Sequence, residues 1–303
     1  MKTRLTSLIL LVLMGAAWGL QFAMLKMADN SGYTDLQVLV LALGCISIVY
    51  GLLVLLRRRW VAITRHALVF FVVTALVGYI IPIVVTLTVA PHLSAGVIVI
   101  LASLAPAVTF ATAALFRTEH ISTTRLVAVV LGICSVLVLM LPGITGEIFS
   151  LWVIAALIVP LCYGMESVYV DRSWPEGMDV IQVGFAEAFT AFVLIFPLVY
   201  FGDGFPTHID PDGRAEIAIA VFVLCSLFEI FAYFYLIRTT GGVLVSFGSF
   251  IALFAGVGWG ILLFNEQHGW LTWFAAALMV SSLLMVSLDA YLRGRGQPQK
   301  SVL

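Results

Sequence analysis

Glu166, Glu187, Glu229 and Lys26 fall inside long apolar stretches of this 303-residue chain. A charge in such a place costs about 2.5–3.5 kcal/mol on insertion scales unless it is paired, protonated or wet. Counting about 1.5 Å per residue from the helix ends puts Glu187 nearest the bilayer midplane, Glu229 somewhat shallower and Glu166 close to the interface, where water would solvate it. Burial disfavours the charged form of a carboxyl group, so a glutamate at that depth can exchange a proton near neutral pH and couple transport to a proton gradient. Glu187 or Glu229 is therefore read as a proton-coupling or cation-recognition group. The alternative is a protonated glutamate hydrogen-bonded to a neighbouring helix.

Ser226, Glu229 and Tyr233 share one helical face by their spacing, as do Tyr163 and Glu166. With Trp18, Tyr79 and Trp259, these side chains are candidates to line a cavity, although aromatic residues also serve as membrane packing. Carboxylates and π-faces both attract positive charge, so such a cavity suits an amine, an amino acid or a flat organic cation. Lys26, near the outer end of its stretch, snorkels to the surface; as a cavity base it would instead attract carboxylates. Pro82 and Pro106 each remove a backbone hydrogen bond and are candidate hinges. Gly15 with Gly19, and Gly256 with Gly260, have the four-residue spacing of close helix approach. Glu119 and Glu266 are expected to cap or pair at span ends. Cys45, Cys134, Cys162 and Cys225 lie in separate apolar runs, and His66, His92, His120, His208 and His268 show no ligand spacing. No metal and no cofactor are expected.

The elements that must position these groups are membrane spans. Hydrophobic residues make up 62% of the chain and charged ones only 10%, against roughly a quarter charged in a soluble domain. The apolar runs fall near 6–28, 35–56, 66–89, 92–116, 122–141, 149–170, 178–200, 215–236, 242–264 and 270–291, numbered here as spans 1 to 10. Lipid cannot satisfy open backbone groups and no alternating strands appear, so the spans are helices. Thirteen basic residues, among them Arg57, Arg58, Arg59, Arg117, Arg172 and Arg238, fall in loops on one side, against Arg214 alone on the other. That bias places both termini in the cytoplasm and requires an even number of spans. The net charge of -1 gives no reason to expect a nucleic-acid partner. The basic N-terminus before span 1 is read as the start of an uncleaved first span.

Sliding the sequence against itself by about 145 residues brings Trp18-Gly19-Leu20-Gln21 onto Tyr163-Gly164-Met165-Glu166 and Asp35 onto Asp179. Ser94-Ala95-Gly96-Val97 then meets Thr240-Gly241-Gly242-Val243, and Glu119 meets Glu266. Each half holds five spans, an odd number, so the second enters the membrane from the opposite side: an inverted repeat, 1–146 and 147–293, followed by a tail, 294–303. Trp18-Gly19 followed by Phe22 and Lys26, and Pro106 thirteen residues before Glu119, resemble the drug/metabolite transporter superfamily, EamA-type branch. The resemblance implies two five-helix repeats around a central cavity lined mainly by spans 1, 3, 4, 6, 8 and 9. It also implies efflux or uptake of amino acids, metabolites or drugs. Leu253 and Tyr163 depart from the pattern in the second half.

No P-loop, dinucleotide turn or nucleophile elbow is present. A secondary transporter working by alternating access in the inner membrane is expected, its partners a small-molecule substrate, the lipid bilayer and a coupling proton. Efflux is the expected direction by analogy, and the chain is expected to be a monomer or homodimer. An intramembrane enzyme would need His, Asp or Arg clustered near an interface. A non-transporting receptor or assembly factor would present larger loops.

Overall fold

A computed structural model describes residues 2–29, 32–89, 92–93, 101–102, 104–117, 122–140, 151–202, 204, 212–265, 267 and 269–293. Glu119, Glu147, Glu266, His120, His208, His268, the Ser94–Val97 stretch and the tail lie outside these residues. The described residues form helices and no strands. Seven of the helices are long and apolar enough to cross a membrane, and shorter apolar ones, Ala105–Phe116, Thr123–Val138 and Trp270–Met285, stand where spans 4, 5 and 10 are expected. Large apolar side chains such as Leu56, Leu115, Phe201, Leu224 and Leu262 face outward, as lipid rather than water requires.

Several spans are interrupted, each with a local cause. Span 3 runs as Arg65–Thr74, a wide turn of π-helix over Ala75–Ile80, then Ile81–Val89. Pro82 stands just past the π-turn and has no N–H to offer the Gly78 carbonyl. Span 6 breaks between Leu151–Ala156 and Ile158–Ser173, where Pro160 cannot donate to Ala156. Span 9 is divided at Phe247, whose N–H turns back to Leu244 at 3.2 Å, and span 4 carries the same tight turn at Leu104, bonded to Leu101 at 3.0 Å. Pro106 lies at the start of the helix that follows, where a missing N–H costs nothing. It begins a helix rather than bending one.

The inverted repeat is visible as contacts made twice with the halves exchanged. Thr34 and Asp179 both close capping boxes, with Gln37 and Gln182 three residues on, so Thr34 rather than Asp35 is the structural mate of Asp179. Gln37, at the start of span 2, donates to the Gly204 carbonyl beyond span 7 at 3.0 Å; Gln182, at the start of span 7, donates to the Trp60 carbonyl beyond span 2 at 2.7 Å. Spans 5 and 10 repeat the device. Ser135 donates to Ala275 and Ser282 to Ala128, each at 2.6 Å. Arg125 and Ser122 add a buried pairing with Asp289 at 2.9 and 2.7 Å. Lys26 of span 1 lies 4.5 Å above the Phe264 ring of span 9, and Arg172 of span 6 lies 5.2 Å above the Phe116 ring of span 4.

Spans 1 and 6 pass closest to their neighbours through glycine. A Cβ on Gly19 would stand 2.5 Å from the Ala252 carbonyl and 2.7 Å from the Gly256 nitrogen; one on its mate Gly164 would stand 2.6 Å from Val108 and 2.9 Å from the Thr109 nitrogen. Backbone cannot step aside as a side chain can, so any Cβ pushes the spans apart. Gly19→Ala should therefore destabilise the detergent-solubilised protein by about 1–3 kcal/mol, the range for overpacking. Gly258→Ala, where a Cβ meets nothing within 4 Å, should leave the melting temperature unchanged. Equal melting of the two variants would refute the close approach.

Candidate functional site

Glu166, Glu187 and Glu229 lie in one layer of the bundle. Glu166 is seven residues before the end of its helix at Ser173, Glu187 seven after the start of its helix at Val180, and Glu229 eleven before the end of its helix at Thr240. At about 1.5 Å per residue these are depths of roughly 10 to 16 Å from the same side. Glu187 is within electrostatic reach of the other two, and Tyr79, on the π-turn, is within reach of all three.

Glu229 is anchored by span 1. Gln21 donates its side-chain N–H to Glu229 Oε2 at 2.9 Å, while its own Oε1 accepts from Ser226 at 3.2 Å. Ser226 Oγ also lies 2.9 Å from the Phe222 carbonyl, so its one proton serves one acceptor at a time. These groups open on a narrow cavity, with room for little more than water, lined also by Tyr79, Phe222, Ile230, Leu39, Ala42, Leu43 and Ile46. Spans 1, 2, 3 and 8 bound it. Span 2, absent from the lining that family resemblance implies, supplies four of its apolar residues, and among the described residues spans 4, 6 and 9 supply none.

Glu166 does not sit solvated at an interface. It is 7% exposed, and its carboxyl group stands against the π-turn, where a Cβ on Gly78 would be 3.2 Å from Cδ. Counted from the helix ends of the structure it lies as deep as Glu187, with Glu229 deepest, so the expected order of depths does not hold, and a neighbouring helix rather than water covers it. Glu187 is 2% exposed, and its Oε1 has no hydrogen-bond partner; the Thr74 hydroxyl faces its carboxyl group. The Tyr233 hydroxyl, beside Glu166 and Glu187, is likewise buried without a completed hydrogen bond. Tyr233, Thr74 and Gln21 are the polar side chains that face these carboxyls, and among the described residues no ion pair joins any of the three to a basic side chain.

Trp18 and Tyr163, mates in the repeat, meet edge to face with ring centroids 6.3 Å apart, which places the pseudo-twofold axis close to them. Trp259 does not line the described cavity. Its indole N–H donates to the Ala16 carbonyl at 3.1 Å and pins span 9 to span 1. Lys26 is exposed and seated on Phe264. Gln21, Thr74 and Gly78 escape sequence reasoning. Only Gln21 carried a signal, as the repeat mate of Glu166.

A family model described as EamA-like transporter family matches residues 5–141 and again 150–288. A solved structure described only as "Crystal structure of protein" superposes with a TM-score of 0.72 at 15% identity, covering 94% of this chain and 99% of the other. That likeness establishes the fold. No curated protein matches the chain.

Removing Gln21 strands a buried acceptor, at a cost of about 1–3 kcal/mol. Gln21→Leu and Glu229→Leu should each destabilise the protein, and the double variant should lose less than their sum. The check is a double-mutant cycle on thermal unfolding, and additivity within about 0.5 kcal/mol would show the pair to be uncoupled.

Proposed function

The chain belongs to the EamA-like transporter family, and we propose that it is a secondary transporter that moves a small metabolite across the inner membrane by alternating access, with protons as the coupling ion and efflux as the working direction. One observation carries this reading: three carboxyl groups lie buried in one layer, and among the described residues none of them is ion-paired with a basic side chain. Such a layer is neutralised only by protons or by a cationic ligand, and competition between the two is the simplest form of exchange.

The residues take distinct roles. Glu229 lines the cavity and meets substrate, with Gln21 and Ser226 fixing its orientation. Glu187, enclosed and with one oxygen unpartnered, holds and releases the coupling proton, while Glu166 and Tyr233 stand beside it. The inverted repeat supports alternation, because contacts made twice with the halves exchanged give two arrangements of nearly equal energy. The one-sided distribution of loop arginines supports cytoplasmic termini and two repeats, 1–146 and 147–293, of opposite orientation. In this frame the three carboxyls lie in the cytoplasmic half of the bundle.

The test is counterflow by purified protein in liposomes, with pooled labelled amines and amino acids. A lumen more acidic than the medium should drive substrate inward as protons leave. Glu187→Gln should keep exchange at equal pH while losing at least tenfold of the accumulation driven by the gradient; Glu229→Gln should lose both. Full gradient-driven accumulation in Glu187→Gln would remove the proton role from that residue.

A further inference from the structure

We infer that the transported molecule is an organic cation bearing no carboxylate, and that the site discriminates against amino acids of the same shape. The inference rests on the transporter reading above and narrows its substrate class. Ligand recognition inside a low-dielectric bundle is settled by what each ligand charge finds opposite it. A cationic head group finds Glu229 at the cavity, with Glu166 and Glu187 in the same layer. It also finds the ring of Tyr79 in the lining, and aromatic faces attract cations.

Glu187 supplies a second, separate indication that a donor or cation belongs there. Its Oε1, in a residue 2% exposed, has no hydrogen-bond partner among the described residues. Buried acceptors are otherwise paired.

Among the described residues, a ligand carboxylate would find no basic side chain in the cavity lining. Of the neutral donors there, one Gln21 N–H is taken by Glu229 and the Ser226 hydroxyl by Gln21 or Phe222, and the Tyr79 hydroxyl that is left carries no charge to balance a carboxylate. Lys26, the basic residue within span 1, is exposed and seated on Phe264. An amino acid would therefore bring one matched charge and one that faces carboxyl groups, which is the arrangement that rejects a near-isostere most strongly.

The experiment uses three probes that share a phenyl ring and a two-carbon chain: phenethyltrimethylammonium, its zwitterionic α-carboxylated counterpart, and 3-phenylpropionate. Counterflow of each is measured in liposomes holding the full chain, with protein-free liposomes as the blank. The cation should exchange at least tenfold faster than the zwitterion, and the anion should not exchange. Glu229→Gln should abolish cation exchange and Glu229→Asp, which keeps the charge, should restore part of it, separating charge recognition from misfolding. Zwitterion exchange equal to or faster than cation exchange would overturn the inference and leave the carrier reading standing. No exchange of these probes or of the pooled amines and amino acids would overturn both.

Discussion

A polar atom inside a bundle of apolar helices has no water to fall back on, so it must be satisfied by the chain itself or by whatever the chain binds. Most hydroxyls here return to their own helix: Ser47 to Leu43, Thr109 to Ala105 and Thr190 to Ala186, at 2.6, 2.9 and 2.7 Å. A smaller set crosses between the repeats, including Ser135, Ser282, Gln37 and Gln182, and these crossings hold the two halves in register. Against that background the buried Glu187 Oε1 and Tyr233 hydroxyl stand out, because they lie together in the acidic layer and neither is satisfied. Packing alone leaves no reason to keep them.

The scaffold is symmetric and its chemistry is not. Glu166 has Gln21 as its mate, Glu187 has Ala42 by the capping-box register, and the region of span 3 that mates with Glu229, Ile80–Val84, is neutral. All three acids therefore belong to the second half. Gln21 in the first half keeps a polar side chain at the mated position and uses it to orient Glu229 across the interface. The fold is thus duplicated while its buried carboxyls are not.

The fold was legible because lipid leaves so few choices. Length, hydropathy and loop arginines are all one-dimensional signals, and they sufficed for ten helices in two halves. The repeat was legible as well, to within the residue that separates Asp35 from Thr34. The site was legible in its types but not in its neighbours. Glu166 was placed by depth alone, and depth says nothing about which helix stands beside a residue. The π-turn that receives it has no sequence period of its own and is marked only by Pro82. Trp259 read as a cavity aromatic, yet its N–H serves the backbone of Ala16. Arg125, at the start of span 5, gave no sign in the sequence of its pairing with Asp289 of span 10. In each case the missing information was a lateral contact between residues far apart in sequence.

The two cation–aromatic contacts show how such a bundle can be held closed without being locked. Lys26 on Phe264 ties spans 1 and 9, and Arg172 on Phe116 ties spans 6 and 4, at opposite ends of mated helices. A contact of this kind is worth about 0.5–1 kcal/mol where exposed and about 2 when desolvated. A buried ion pair whose partner is withdrawn costs several times more. Such an ion pair, Arg125 with Asp289, joins spans 5 and 10, which lie outside the cavity. The strong polar contact thus joins spans 5 and 10, away from the cavity, and the weak ones sit on spans 1, 4, 6 and 9. An equilibrium between two conformers moves from one side to the other with a few kcal/mol of differential binding, and ties of this strength are within reach of a single cation meeting or leaving a carboxylate.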